Sequence, residues 1–220
     1  MRVNEQGRSM IEMLGVLAIV GVLSVGGIAG YSKAMNKFKT NKAIDQINML
    51  STNIRTLFSS QGNYKGMTPK LLAKAGVLPA EMYTGVDADN VTSDDTKHVF
   101  GGSIKIVPSD HNKEDAKDAY IVAVDSIPNS ACTVMVSTDW GSDVGSGLAA
   151  LYVDPNADST ADTAITALDN LATDIEAAEV SGTTAGIYIP GDDTASTPLS
   201  ISSAQGACGP GNNTLGFKYI

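Results

Sequence analysis

Polar and apolar positions change their spacing several times along the chain. From Met13 to Tyr31, 19 residues pass without one charge. At about 1.5 Å of rise per residue a helix of that length covers roughly 29 Å, close to the ~30 Å hydrocarbon core of a bilayer. Apolar residues then recur at Met35, Phe38, Ile44, Ile47, Leu50, Ile54, Leu57 and Phe58, in steps of mostly three and four, with Lys, Asn, Asp and Thr between them. That spacing draws one apolar stripe on a helix. No proline occurs between Met1 and Met67, and the first breaker cluster is Ser59-Ser60-Gln61-Gly62. One helix of about 75 Å is therefore predicted from Ser9 to about Phe58, apolar all round in its first half and fit to pack on a globular head in its second.

Shorter elements follow. Thr68-Pro69 offers an N-cap and a proline at the first helical position, then Leu71, Leu72 and a closing Gly76, the pattern of a short helix. Beyond it the period drops toward two. Residues 99–107, 119–124 and 132–136 read as strands separated by Gly, Pro and Asn, and their short or polar links favour antiparallel pairing. Residues 154–163 are polar and turn-rich; Ile165, Leu168, Leu171, Ala172 and Ile175 then mark an amphipathic helix to about Glu179, an insertion-like element. Short strand candidates return at Ile187-Tyr188-Ile189 and from Leu215 to Ile220. The predicted class is α+β, a long N-terminal helix (residues 8–60) packed on an antiparallel sheet head (residues 61–220).

Charge sharpens this division. The whole chain carries −9. Residues 1–7 are neutral through Arg2 and Glu5, and residues 8–42 carry +4 from Arg8, Lys33, Lys37, Lys39 and Lys42 against Glu12, which leaves −13 on residues 43–220. An acidic head repels phosphate backbones, so nucleic-acid binding by general electrostatics is disfavoured. Cys132 and Cys208, the only two cysteines, lie beyond the apolar stretch. In an oxidising compartment a bridge between them is expected, restricting the unfolded chain by roughly 4–5 kcal/mol on the entropy model; two buried free thiols are the alternative.

Glu12 is the most informative single residue. A carboxylate at the start of a span costs a few kcal/mol unless it is neutralised, so it is either an acid snorkelling into the headgroups or a functional group. Gly15, Gly21, Gly26, Gly27 and Gly30 thin one side of the span, and Gly26 and Gly30 have the spacing that lets two helices approach closely. Small residues at Gly30, Ser32 and Ala34 also fit a signal-peptide cut, but the helical pattern continues past them. Asp154, Asn156, Asp158, Thr160 and Asp162 alternate as calcium-loop ligands do. Ser159 stands where the turn glycine belongs and Ile165 where the bidentate glutamate belongs, so a solvated turn before the next helix is the better reading. His98 and His111 are isolated, without metal-ligand spacing.

Gly7, then Arg8-Ser9-Met10-Ile11-Glu12, then an apolar span, resembles the prepilin signature of type IV pilins. The resemblance implies a leader of residues 1–7 cut between Gly7 and Arg8 by prepilin peptidase, N-methylation at Arg8, and Glu12 as the acid that guides assembly. The family usually has Phe or Met directly after the cut, and Arg8 departs from that. Farther along, Leu71-Leu72-Ala73-Lys74-Ala75-Gly76-Val77-Leu78-Pro79, Phe100-Gly101-Gly102, Ile127-Pro128-Asn129-Ser130-Ala131-Cys132, Ala207-Cys208 and Asn213-Thr214-Leu215-Gly216-Phe217 are similar to segments of the type IVb branch. By that resemblance the chain is a structural subunit, without enzymatic activity or cofactor, held in the bacterial inner membrane as a precursor and then assembled by pilus machinery into an extracellular helical filament of identical copies. Such filaments serve adhesion, aggregation, conjugation or motility. A minor pilin, a type II secretion pseudopilin, and a membrane-anchored periplasmic enzyme or binding protein are the alternatives. One signal opposes this topology. Four lysines follow the span while only Arg2 and Arg8 precede it, so the positive-inside rule taken alone puts the C-terminal side in the cytoplasm; the resemblance and the cysteine pair put the head outside.

Overall fold

The computed structural model describes residues 6–111, 116–141, 147–171, 185–190 and 196–220, with side chains from Met10 onward. Residues 1–5 of the expected leader, and the expected helical stretch from Ala172 to Glu179, lie outside the described residues. By its contacts the chain divides into two compact units, Met1–Lys39 and Thr40–Ile220.

The long helix, α1, runs from Gln6 to Phe58. Within the second unit its stripe Ala43, Ile47, Leu50, Ile54 and Phe58 is buried, a repeat of three and four that keeps one face inward. Leu57, expected on that stripe, lies on the outer flank. Helix α2 (Pro69–Lys74) starts as its sequence dictates: Thr68 is extended, its Oγ1 accepts from the Leu71 N–H at 3.2 Å, and Pro69 holds the first position. It ends where Gly76 turns into the left-handed region (φ +72°), a conformation that favours glycine. A single 3-10 turn at Ala80–Met82 buries Met82.

Among the described residues six strands make one sheet: β1 (Ile104–Ser109), β2 (Ala119–Pro128), β3 (Leu148–Asp154), β4 (Gly186–Pro190), β5 (Ser196–Thr197) and β6 (Asn212–Tyr219), in the order β1-β2-β6-β3-β4-β5. All neighbours are antiparallel except β4 and β5. Strand β6 is therefore internal: Phe217 sits opposite Val122 of β2 on one side and Leu151 of β3 on the other.

Three sequence expectations need correction. Residues 99–102, read as the start of a strand, form a turn instead, and β1 begins at Ile104. Residues 132–136 are not a strand but part of helix α3 (Asn129–Val136). An apolar run this short does not distinguish strand from helix. Its buried members, Ala131, Cys132, Met135 and Val136, recur at helical spacing, and extended Pro128 ends β2 just before it. Strand β3 was not expected; its seven residues are buried on both faces, so the run shows no polar alternation.

Helices cover both sheet faces. Ile47, Leu50 and Ile54 of α1, Leu72 of α2 and Met135 of α3 share one core with Ile104, Val122, Leu151 and Phe217. On the opposite face, α4 (Ala161–Asp169) packs Ala164 and Leu168 against Ile121, Ala123, Ala150 and Tyr152. Gly216 admits that helix, because a Cβ there would stand 2.7 Å from Leu168 Cδ1 and 3.1 Å from Ala164 Cβ. Two residues on, the buried Lys218 Nζ donates to the carbonyls of Leu168 (2.8 Å) and Leu171 (3.0 Å), satisfying acceptors at the end of α4. Desolvation lowers the Lys218 pKa, opposed by Asp169, Asp110 and Asp118.

Candidate functional site

Among the described residues the apolar segment of α1 in the first unit is exposed on every side. Ile11, Leu14, Leu17, Val22, Val25 and Ile28 all keep more than half of their surface exposed. A helix apolar all round is stable only where something apolar surrounds it, and this one is long and apolar enough to cross a bilayer. Two of its serines satisfy their hydroxyls internally: Ser24 Oγ donates to the Val20 carbonyl at 2.7 Å and Ser32 Oγ to that of Ile28 at 3.0 Å. That removes the penalty a free hydroxyl carries in a water-poor surrounding. Nothing lies within 4 Å of the Cβ positions of Gly15, Gly21, Gly26, Gly27 or Gly30, so these positions are open to another helix.

Gly7 and Arg8 fall in the first turns of α1, and Glu12 is exposed at the head of the apolar stretch. From Met10 onward, where side chains are described, no ion pair to the Glu12 carboxylate is seen. The sequence-predicted site is thus an exposed acid at the head of an apolar surface.

In the head, Cys132 of α3 and Cys208 are joined, with Cα atoms 6.0 Å apart, and helix α5 (Ile201–Ala207) leads into the second cysteine. Asn129 Nδ2 donates to the carbonyls of Cys208 (3.2 Å) and Gly209 (2.6 Å), and Asn213 Oδ1 accepts from the Gly209 N–H at 2.7 Å. The bridge is therefore braced on both sides. Sequence reasoning missed a second brace. Gln46, buried on α1, accepts from the Val99 N–H at 3.3 Å and donates to Glu81 at 3.3 Å, and Lys42 reaches the same carboxylate at 3.1 Å. Hydrogen bonds from Lys42 and Gln46 hold the Glu81 carboxyl below its usual pKa. A glutamine inside an apolar stripe was the available signal.

The remaining candidates are structural. His98 Nε2 donates to the Asp125 carbonyl at 2.7 Å while Nδ1 accepts from the Phe100 N–H at 3.2 Å, which fixes the neutral tautomer. Gly101 (φ +92°) turns the chain there, and Gly102 leaves room for the imidazole. The Asp154 carboxylate is taken up by the Tyr152 hydroxyl (3.0 Å) and the Asn156 N–H (2.9 Å), and Asp162 pairs with Lys105 at 2.7 Å. Among the described residues no three His, Cys, Asp or Glu side chains converge as a metal site.

A family model described as bundlin matches residues 32–170. The toxin coregulated pilin of Vibrio cholerae is 23% identical over 139 residues, 62% of this chain and 59% of that protein. The major structural subunit of the bundle-forming pilus of Escherichia coli O127:H6 is 23% identical over 137 residues, 62% of this chain and 66% of that protein. The matched part thus spans less than two thirds of the length of either relative. In three dimensions the chain resembles the crystal structure of a type IV pilin from the El Tor biotype of Vibrio cholerae. That match has a TM-score of 0.50 and 18% identity, covering 83% of this chain and 99% of the other.

Proposed function

Because this chain belongs to the bundlin family, we propose that it is a structural subunit of a type IV pilus. In this reading the apolar half of α1 first holds the precursor in the bacterial inner membrane. Prepilin peptidase removes residues 1–7 between Gly7 and Arg8, the new amine on Arg8 is methylated, and pilus machinery packs identical copies through their N-terminal helices into an extracellular filament. The observation that carries this is an all-round exposed apolar helix headed by an exposed acid, the surface a polymer of such helices would cover.

The chemistry follows from solvation. Cleavage creates an α-amine at a helix start, and the Glu12 carboxylate of a neighbouring copy can pair with it where water is scarce. Each buried charge makes the other tolerable, whereas either alone would cost several kcal/mol in order-of-magnitude terms. A pair of that kind favours one axial offset between helices, so it sets register as well as attraction. The open glycine positions of the span permit the backbones to approach. The Cys132–Cys208 bridge supports a head on the oxidising side of the membrane.

Electron microscopy of cells with and without the chain, followed by mass analysis of the subunit's N-terminus, tests this reading. Filaments are expected only with the chain, built from subunits that start at a methylated Arg8. Glu12→Ala is expected to leave the protein inserted but unassembled. Normal filaments from that variant, or subunits that polymerise with residues 1–7 still attached, would refute it.

A further inference from the structure

Between Glu12 and Asp45 the chain holds no acid, and its charges there are Lys33, Lys37, Lys39 and Lys42. All four follow the uncharged stretch that ends at Tyr31. Lys42 pairs with Glu81 at 3.1 Å, and Lys39 is half-buried. Lys33 and Lys37 are exposed, and four residues apart on α1 they share one face. Counted back from Lys33 in steps of three and four, Gly30, Gly26, Val22 and Ile19 lie on that same face, and both Val22 and Ile19 are exposed. At about 1.5 Å of rise per residue Lys33 stands about 3 Å and Lys37 about 9 Å beyond Tyr31. The polar layer on each side of a bilayer core is roughly 5–8 Å thick. Side chains on a helix lean toward its N-terminus, here toward the span, so the Lys37 ammonium can reach back into that layer beside Lys33.

We propose that Lys33 and Lys37 seat the phosphate of an anionic phospholipid, of the phosphatidylglycerol type, at the end of the span. The inference rests on the membrane-held precursor of the pilus reading and names the lipid that this precursor takes beside it. An ammonium is a point charge with three donors, and two of them about 6 Å apart along one face can share a phosphodiester. Below the lysines, Gly30 and Gly26 leave their side of the helix open, with nothing within 4 Å of a Cβ built at either. An acyl chain can lie in that opening and continue along Val22 and Ile19, which gives a phospholipid a contact that a free phosphate lacks. A chain of −9 is repelled as a whole by an anionic surface, so attraction to one must come from a local group of cations. Four lysines after the span also run against the positive-inside rule for a head placed outside, and headgroup binding offsets that cost.

The test reconstitutes the full-length chain in phosphatidylcholine vesicles doped with spin-labelled lipid, and electron spin resonance reads the fraction of label immobilised at the protein surface. Spin-labelled phosphatidylglycerol is expected to associate on the order of fivefold more strongly than spin-labelled phosphatidylcholine, the value of about one lysine at an anionic surface. Lys33→Gln combined with Lys37→Gln should lower that ratio at least twofold while Cys132–Cys208 still forms. Equal association of the two lipids, or a ratio unchanged in the double variant, would overturn the inference. Excess inorganic phosphate should leave the ratio where sodium chloride of equal ionic strength leaves it; a collapse specific to phosphate would mark a site for the free anion and overturn the lipid assignment. Alkaline extraction of the same vesicles separates the two readings. A chain that stays inserted without lipid preference defeats this contact and leaves the pilus reading standing, whereas a chain that fails to insert defeats the membrane-held precursor and this inference with it.

Discussion

Replacing Gly216 by alanine tests how closely α4 lies on the sheet. The added Cβ would stand 2.7 Å from Leu168 Cδ1, 3.1 Å from Ala164 Cβ and 3.4 Å from Tyr152 Cβ, against an optimum of about 3.5–4.0 Å between carbons. Leu168 and Ala164 are fully buried, so relief requires a rotamer change or a shift of the helix. Overpacking of this kind costs about 1–3 kcal/mol, and the loss of glycine's freedom in the unfolded chain returns about 0.4–1 kcal/mol. The net is about 1–2 kcal/mol of destabilisation, or about 2–8 °C in Tm for a unit of this size. Trp140, the only tryptophan, has its ring 4.6 Å from that of Phe217, the residue after Gly216. Its fluorescence during urea unfolding of the detergent-solubilised protein therefore reports on this region. Leu168→Ala alone should cost about 2–5 kcal/mol. With the leucine trimmed the new methyl has room, so the double variant should cost less than the sum of the two by about 1 kcal/mol or more. A neutral Gly216→Ala, or strict additivity, would refute the close approach.

Reducing the Cys132–Cys208 bridge, which spans 76 residues, frees a loop whose closure is worth about 4–5 kcal/mol on the chain-entropy model; an unfolding midpoint unchanged by reductant would contradict this. Burial lowers the pKa of His98, opposed by the Asp125 backbone and charge, so the folded state favours the neutral ring. Its contribution is complete above the unfolded value of about 6.5 and is lost as pH falls from there through the folded value. Thermal stability should decline below about pH 6.5 with a shallower slope in His98→Gln, and an unaltered slope would count against it. Lys218→Met removes the donor to the Leu168 and Leu171 carbonyls. Hydrogen exchange should then quicken in α4 while β2 keeps its protection; uniform change across the head would exclude a local capping role.

The sequence was most legible where one local rule decided the outcome. Repeats of three and four marked the buried stripe of α1, Thr68-Pro69 marked the start of α2, and two cysteines beyond an apolar segment marked the bridge. It was least legible where tertiary packing decided. Thr133, Val134 and Val136 are β-branched residues that favour strands in isolation, yet they lie in a helix bridged to Cys208. Strand β3 has no alternation to read because both its faces are covered. A lysine inside a strand candidate carries no sign of burial, and only the end of α4 above Lys218 explains it. For the candidate site, Gly7 and Arg8 were marked only by the resemblance to the prepilin signature, and Glu12 also as an acid at the head of an apolar stretch; the all-round exposure of that stretch emerged only in three dimensions.

Strand β6 is the last of the six in chain order, yet it lies between β2 and β3, which share no ladder of their own. The two halves of the sheet can join only after this segment arrives. A chain cut short before β6 would leave β2 and β3 each with an unpaired edge, the kind of exposed backbone that templates pairing with other chains.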